Sequence, residues 1–256
     1  MTAQHPDGYV KSTTSNGITQ IEFYHPQSNS LPGKILSLLA EEIKNAGLIK
    51  ESSVIVLQSA GLKTFCAGAS FDELLQIKTE AEGLFFFSGF ANVINAMKDC
   101  PKFIVAIIQG KCVGGGVGLA AAADYAIATE TADVKLSELA VGIGPFVVGP
   151  AVERKIGTSA FTALSIDAAS WRNSQWAFSK GLFSELHSSL EQVDEAVHKI
   201  VTTLSQSSPE AMAELKKICW QGTEHWNQLL KERASISGRL ILSDFSRTAI
   251  EKFKKK

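Results

Sequence analysis

IIQGKCVGGGVGLAAAADYAIA, residues 107–128, decides how the rest of the chain is read. The β-branched run FIVAII (103–108) that leads into it has the make-up of a buried strand, and LAAAA (119–123) that of a short helix. Between them stand Gly114, Gly115 and Gly116. Consecutive glycines lose much conformational entropy on folding and contribute no packing, so a site or a very close contact is the reason for them. This is also the most apolar part of the chain. Asp124 and the glycines nevertheless break the stretch from Cys112 to Ala128, which falls short of the roughly twenty apolar residues of a membrane span.

Working outward, the run ITQIEFY (18–24), the helical pattern LPGKILSLLAEEIKNAGL (31–48), SVIVLQS (53–59) and KFIVAII (102–108) alternate strand with helix. That order predicts an α/β layer with strands parallel at least in part. After Gly142 the β-branched runs fade. SLEQVDEAVHKIVTTLSQ (189–206) and PEAMAELKKICWQGTEHWNQLLKERA (209–234) carry apolar residues at helical spacing, so the last hundred residues are expected to be all helix, one helix starting at Pro209. With 256 residues, 45% of them hydrophobic, one main domain with a full core is the simplest organisation. The 25 basic and 26 acidic residues give a net charge of −1, which creates no global field for nucleic acid or an anionic membrane. Cys66, Cys100, Cys112 and Cys219 lack CxxC spacing, and MTAQHPDG lacks a signal-peptide layout, so a cytoplasmic location is expected.

Two further stretches carry chemistry. In GLKTFCAGASFDELL (61–75), Ala67, Gly68 and Ala69 leave the backbone almost bare, and Ser70 with Glu73 is a capping-box pattern that starts a helix at Phe71. N–H groups just before such a helix are available to an anion or a developing oxyanion, although an ordinary capped turn has the same sequence signature. In VKLSELAVGIGPFVVGPAV (134–152), Glu138 stands in apolar surroundings. Burial there would raise its pKa toward the range useful for moving protons, and a helix-start acid or a partner for Lys135 is the plainer alternative. Gly116, Gly118 and Ala121 also satisfy G-x-G-x-x-A, with Glu130 about where a ribose-binding acid would lie. Gln109 to Val113 intervene between strand and glycines, which weakens that dinucleotide reading. His5, His25, His187, His198 and His225 show no ligand-pair spacing, so no metal is expected.

Taken together, AGAS (67–70), VGGGVGL (113–119) and SELAVGIGP (137–145) resemble the crotonase superfamily of enoyl-CoA hydratases and isomerases in order and spacing. HPQSNSL (25–31), ADY (123–125) and SPEAMAELK (208–216) extend the resemblance over nearly the whole chain. It implies a crotonase-like ββα spiral core over residues 1–200 with an all-helical C-terminal region over 201–256 serving trimerisation, and a homotrimer or dimer of trimers. It also implies an acyl-CoA thioester as partner, coenzyme A being part of the substrate and no further cofactor being needed, with no nucleic acid and no membrane. The family's oxyanion hole falls on the N–H groups of Ala69 and Gly115, and its acid–base glutamate on Glu138. Substrate contacts fall on Lys63, Ala67, Gly68, Gly114 and Gly118, with Phe253 and Lys254 from the C-terminus. Phe85, Phe86, Phe87 and Phe90 fall where the family lines its acyl pocket, although aromatic runs are most often core.

Two positions depart from the family pattern. Ser70 replaces an aspartate and caps a helix equally well. Gly118 stands where hydratases carry their first glutamate, so one carboxylate remains instead of two. One carboxylate suits transfer of a proton from the α- to the γ-carbon, converting a 3-enoyl to a 2-enoyl thioester. Phe146 after Pro145 and the pair Asp124-Tyr125 also look like the isomerase branch. One-glutamate hydration, decarboxylation of a 3-carboxyacyl-CoA, a non-catalytic acyl-CoA binder and a dinucleotide-dependent oxidoreductase are the alternatives.

Overall fold

From residue 18 to residue 166 each stretch of the chain adds one strand to a large sheet, one or two short strands to smaller sheets, and then helix. The computed structural model describes residues 6–254, with side chains described through 252. Its first part contains β1 (Tyr9–Ser15), β2 (Ile18–Tyr24), β3 (Ser30–Leu31), α1 (Gly33–Leu48), β4 (Val54–Ser59), β5 (Thr64–Cys66), β6 (Gly68–Ala69), α2 (Phe71–Leu74) and α3 (Glu80–Asp99). The middle contains β7 (Phe103–Ile108), β8 (Lys111–Val113), α4 (Gly115–Ala122), β9 (Tyr125–Thr129) and β10 (Val134–Lys135). A 3₁₀ turn, Glu138–Val141, then precedes α5 (Gly149–Ile166), α6 (Ser174–Ser179), β11 (Glu185–His187), α7 (Leu190–Ser205), α8 (Pro209–Cys219), α9 (Trp226–Leu240) and α10 (Asp244–Lys254).

The large sheet has the order β1-β2-β4-β7-β9-β11, the small ones β10-β8-β5 and β3-β6. Among these pairings β1–β2 is antiparallel and the others are parallel. The repeated ββα unit is the crotonase-like spiral. Its central strands are apolar on both faces because both are covered. Ile55, Leu57, Ile104 and Ala106 face the main core with α1 and α3, whereas Val54, Val56, Val105 and Ile107 meet Val193, Val197 and Val201 of α7. Side chains alternate across a strand, so one continuous hydrophobic run serves two layers.

One expectation for the C-terminal hundred residues is corrected: Glu185–His187 is not helix but strand β11, paired with Ile127–Thr129 at the edge of the large sheet. Three residues are too few to show a period. Residue 200 lies inside α7, and the helices beyond it fold back on the spiral. Lys216 on α8 meets the Asp124 carboxylate at 2.9 Å, and Trp220 Nε1 donates to the same carboxylate at 2.8 Å. Helix α9 crosses α3 at backbone contact, since a Cβ on Gly83 would stand 2.5 Å from Gly238 Cα. Among the described residues no helix is long and apolar enough to cross a membrane.

Candidate active site

The three motifs converge on one cavity, partly open to solvent. Ala67, Gly68 and Ala69 form one wall, Gly114 and Gly115 the next, and Ser137 and Glu138 the third. Phe86, Phe87 and Phe90 of α3 and Ser237 of α9 close it.

The first wall is fixed by the HPQSNSL segment. Ala67 N–H donates to Asn29 O at 3.2 Å and Ser70 N–H to Leu31 O at 3.0 Å, and neither bond uses the N–H of Ala69. Asn29 is itself locked by its side-chain amide, which donates to Ala60 O and Thr64 O. Ser70 caps α2 by accepting from Glu73 N at 3.4 Å. The reciprocal half of the expected capping box is absent, because the Glu73 carboxylate accepts from Gly33 N at 2.8 Å and ties the loop to the start of α1.

The second wall turns on Gly114, whose φ of 52° and ψ of −110° lie outside the regions open to residues with a side chain. Its N–H donates to Lys135 O, and its carbonyl accepts from Val117 and Gly118 at the start of α4. The N–H groups of Gly115 and Gly116 fall in that first turn, where the helix itself supplies no acceptor. Both glycines are explained by close approach: a Cβ on Gly115 would overlap the Phe90 ring, and one on Gly116 would overlap Cys66 O. A Cβ on Gly68 would stand 3.6 Å from Gly115 N, so the two loops meet backbone to backbone. This contact between loops accounts for the glycines without the pyrophosphate turn of a dinucleotide site.

The third wall is Glu138, first residue of the 3₁₀ turn. Its carboxylate is buried, and Oε2 has no hydrogen-bond partner among the described residues. Lys135 does not pair with it, since its ammonium donates to Ala169 O instead. Burial without a counter-charge pushes the Glu138 pKa up to about 7, with its own backbone N–H pulling the other way. Among the residues lining the cavity Glu138 is the one ionisable side chain, and Ser137 and Ser237 are the other polar ones.

A family profile described as enoyl-CoA hydratase/isomerase matches residues 13–255. The chain belongs to this family. It is accordingly an acyl-CoA enzyme of the crotonase group. A Mycobacterium tuberculosis protein named (7aS)-7a-methyl-1,5-dioxo-2,3,5,6,7,7a-hexahydro-1H-indene-carboxyl-CoA hydrolase is 25% identical over 214 residues, 81% of this chain and 83% of that one. A probable enoyl-CoA hydratase of Bacillus subtilis is 25% identical over 241 residues, 93% of each. The crystal structure of an enoyl-CoA hydratase from Bacillus halodurans superposes with a TM-score of 0.88 at 23% identity, over 95% of this chain and 99% of that one.

Of the family-matched positions, Ala67, Gly68, Ala69, Gly114, Gly115 and Glu138 surround the cavity. Gly118 does not line it: the Val148 side chain lies over that position, and a Cβ on Gly118 would stand 2.5 Å from Val148 Cγ1. Lys63 is not part of the cavity wall either; it is exposed, and its carbonyl accepts from Lys111 N at 3.1 Å. Phe253 and Lys254 end α10, and their side chains lie outside the described residues. Within the phenylalanine run, Phe86, Phe87 and Phe90 line the cavity, while Phe85 is 78% exposed. Sequence reading missed Ser237 and Val148. A helical wheel from Phe86 to Phe90 would have set Phe85 apart, but no local signal places α9 over the site.

Proposed function

We propose that the enzyme shifts the double bond of an enoyl-CoA from the 3- to the 2-position, with Glu138 carrying the proton. The observation that supports this most is that a single ionisable group, buried and with Oε2 lacking a partner among the described residues, faces a largely apolar cavity. In this reading the Glu138 carboxylate takes a proton from the α-carbon. The electron pair moves into the thioester, whose oxygen becomes an enolate oxyanion held by the N–H groups of Ala69 and Gly115. The same carboxyl group then returns the proton to the γ-carbon as the double bond moves. Removing one such oxyanion donor typically costs about 3 kcal/mol in the barrier. A pKa of about 7 suits both halves of the cycle, because the group is readily emptied and refilled near neutral pH. Two-carboxylate hydration would use a second acid at Gly118 to hold the attacking water, and the apolar Val148 side chain lies over that position.

The test is incubation with a 3-enoyl-CoA and, separately, a 2-enoyl-CoA, with products followed by mass spectrometry and by the absorbance of the conjugated thioester. Conjugation without mass change supports isomerisation. A gain of water from the 2-enoyl thioester at a comparable rate would replace this reading with hydration, and loss of carbon dioxide from a malonyl-type 2-carboxyacyl-CoA, supplied as a third substrate, in place of both would replace it with decarboxylation.

A further inference from the structure

Beside the cavity lies a second one, also partly open, with Pro150, Phe161 and Ile166 on its apolar side and Glu153, Ser165 and Arg233 on its polar side. Pro145 and Phe146 line both cavities, so this short segment is a wall with two faces. It is held in a tight turn, Phe146 N–H donating to Gly144 O at 2.7 Å, and the ring folds back over Gly144, where a Cβ would stand 2.5 Å from Phe146 Cζ. Helix α9 runs past both chambers: Ser237 faces the first and Arg233, one turn earlier, faces the second. Proline contributes little that a substitution could remove without changing the turn. The Phe146 ring is the removable part of the partition.

We propose that Phe146 determines acyl-chain length by closing the far end of the acyl pocket, and that the chamber behind it is the space a longer chain would take. This rests on the reading that the first cavity receives the acyl group of a CoA thioester. An apolar chain gains from each methylene withdrawn from water only while there is protein to cover it, by about fourfold in affinity per methylene. With Phe146 in place that gain stops at the partition. Without it, the chain continues along α9 toward Phe161.

The experiment is calorimetric titration of the full-length protein with saturated acyl-CoAs of increasing length, which bind without turnover. Wild type, Phe146→Ala and Phe146→Leu are compared, with circular dichroism checking the fold. For wild type, affinity should climb with chain length and then level off. In Phe146→Ala the climb should continue over several further methylenes at about fourfold each, and Phe146→Leu should fall between. The same break point in all three proteins overturns the role of Phe146. Should Phe146→Ala not fold, an unshifted break point in Phe146→Leu overturns it equally. Wild type that binds no acyl-CoA of any length removes the functional reading and this inference together, and does so before any variant is compared.

Discussion

The Glu138 carboxylate sits directly against the backbone of Gly114, close enough that a Cβ on Gly114 would stand 3.0 Å from Oε1. The acid from one loop is thus positioned by a residue of another that has no side chain and a positive φ. Gly114→Ala should therefore act twice. The unusual backbone conformation costs about 1–3 kcal/mol for a residue with a side chain, and the methyl group displaces the carboxylate. Turnover should fall at least about tenfold, the equivalent of about 1.4 kcal/mol in the barrier. Gly222 is the control, with φ of 86° and nothing within 4 Å of a Cβ. Gly222→Ala should lower the melting temperature and leave turnover alone. Equal turnover in the two variants would show that the position of the carboxylate is not critical.

In the proposed reaction Glu138 must be ionised to take a proton, and its pKa is raised to about 7. Accordingly kcat/KM should fall about tenfold per pH unit below that value and level off above it. Glu138→Gln should retain acyl-CoA binding, lose roughly a hundredfold to ten-thousandfold in turnover, and lose this acidic limb from its residual rate. A profile flat from pH 5 to 8 in the wild type would assign the proton transfer to another group.

The same titration acts on stability. Unfolded, the carboxyl has a pKa of about 4.3, so between that and about 7 the folded chain holds a proton the unfolded chain has lost. Stability from this group is fully present below the unfolded value and is lost as pH rises through the folded one, by on the order of 3 kcal/mol. Glutamine does not titrate. Glu138→Gln should gain on the wild type in melting temperature as pH rises from 5 to 8. A difference between the two proteins that does not vary with pH would mean that the buried carboxyl is not perturbed.

What the sequence disclosed was what is local. Close approach of two loops requires small residues in succession, so AGAS and VGGG stand out, as does a lone acid in SELAVGIGP against its apolar neighbours. All three border the cavity. The runs FIVAII (103–108) and VIVL (54–57) were legible because burial on both faces removes polar residues from them. Contacts between distant segments were not legible. Ser237 enters the cavity because α9 crosses α3 where Gly83 meets Gly238, and neither glycine reveals its partner. Glu73 has the spacing of a capping box yet serves Gly33, a preference set by the packing of α1 rather than by its own helix.

The pair Gly118 and Val148 separates two explanations for a missing second carboxylate. By resemblance, Gly118→Glu alone would restore the hydratase pattern. The packing says otherwise, because a Cβ there would stand 2.5 Å from Val148 Cγ1 and 2.8 Å from Val148 Cβ. Gly118→Glu should be destabilised by about 1–3 kcal/mol through overpacking and should gain no hydration. Val148→Ala would not relieve it, since the offending Cβ remains. Val148→Gly does, and it falls at the residue preceding α5, a helix-capping position where glycine is well tolerated. The expected outcome is that Gly118→Glu with Val148→Gly converts a 2-enoyl-CoA to its 3-hydroxyacyl product faster than either single variant, as read by mass gain of water. Hydration by Gly118→Glu alone would show that Val148 yields easily and is no barrier. A folded, acyl-CoA-binding double variant without hydration would show that the absent carboxylate is not what keeps water out of the reaction.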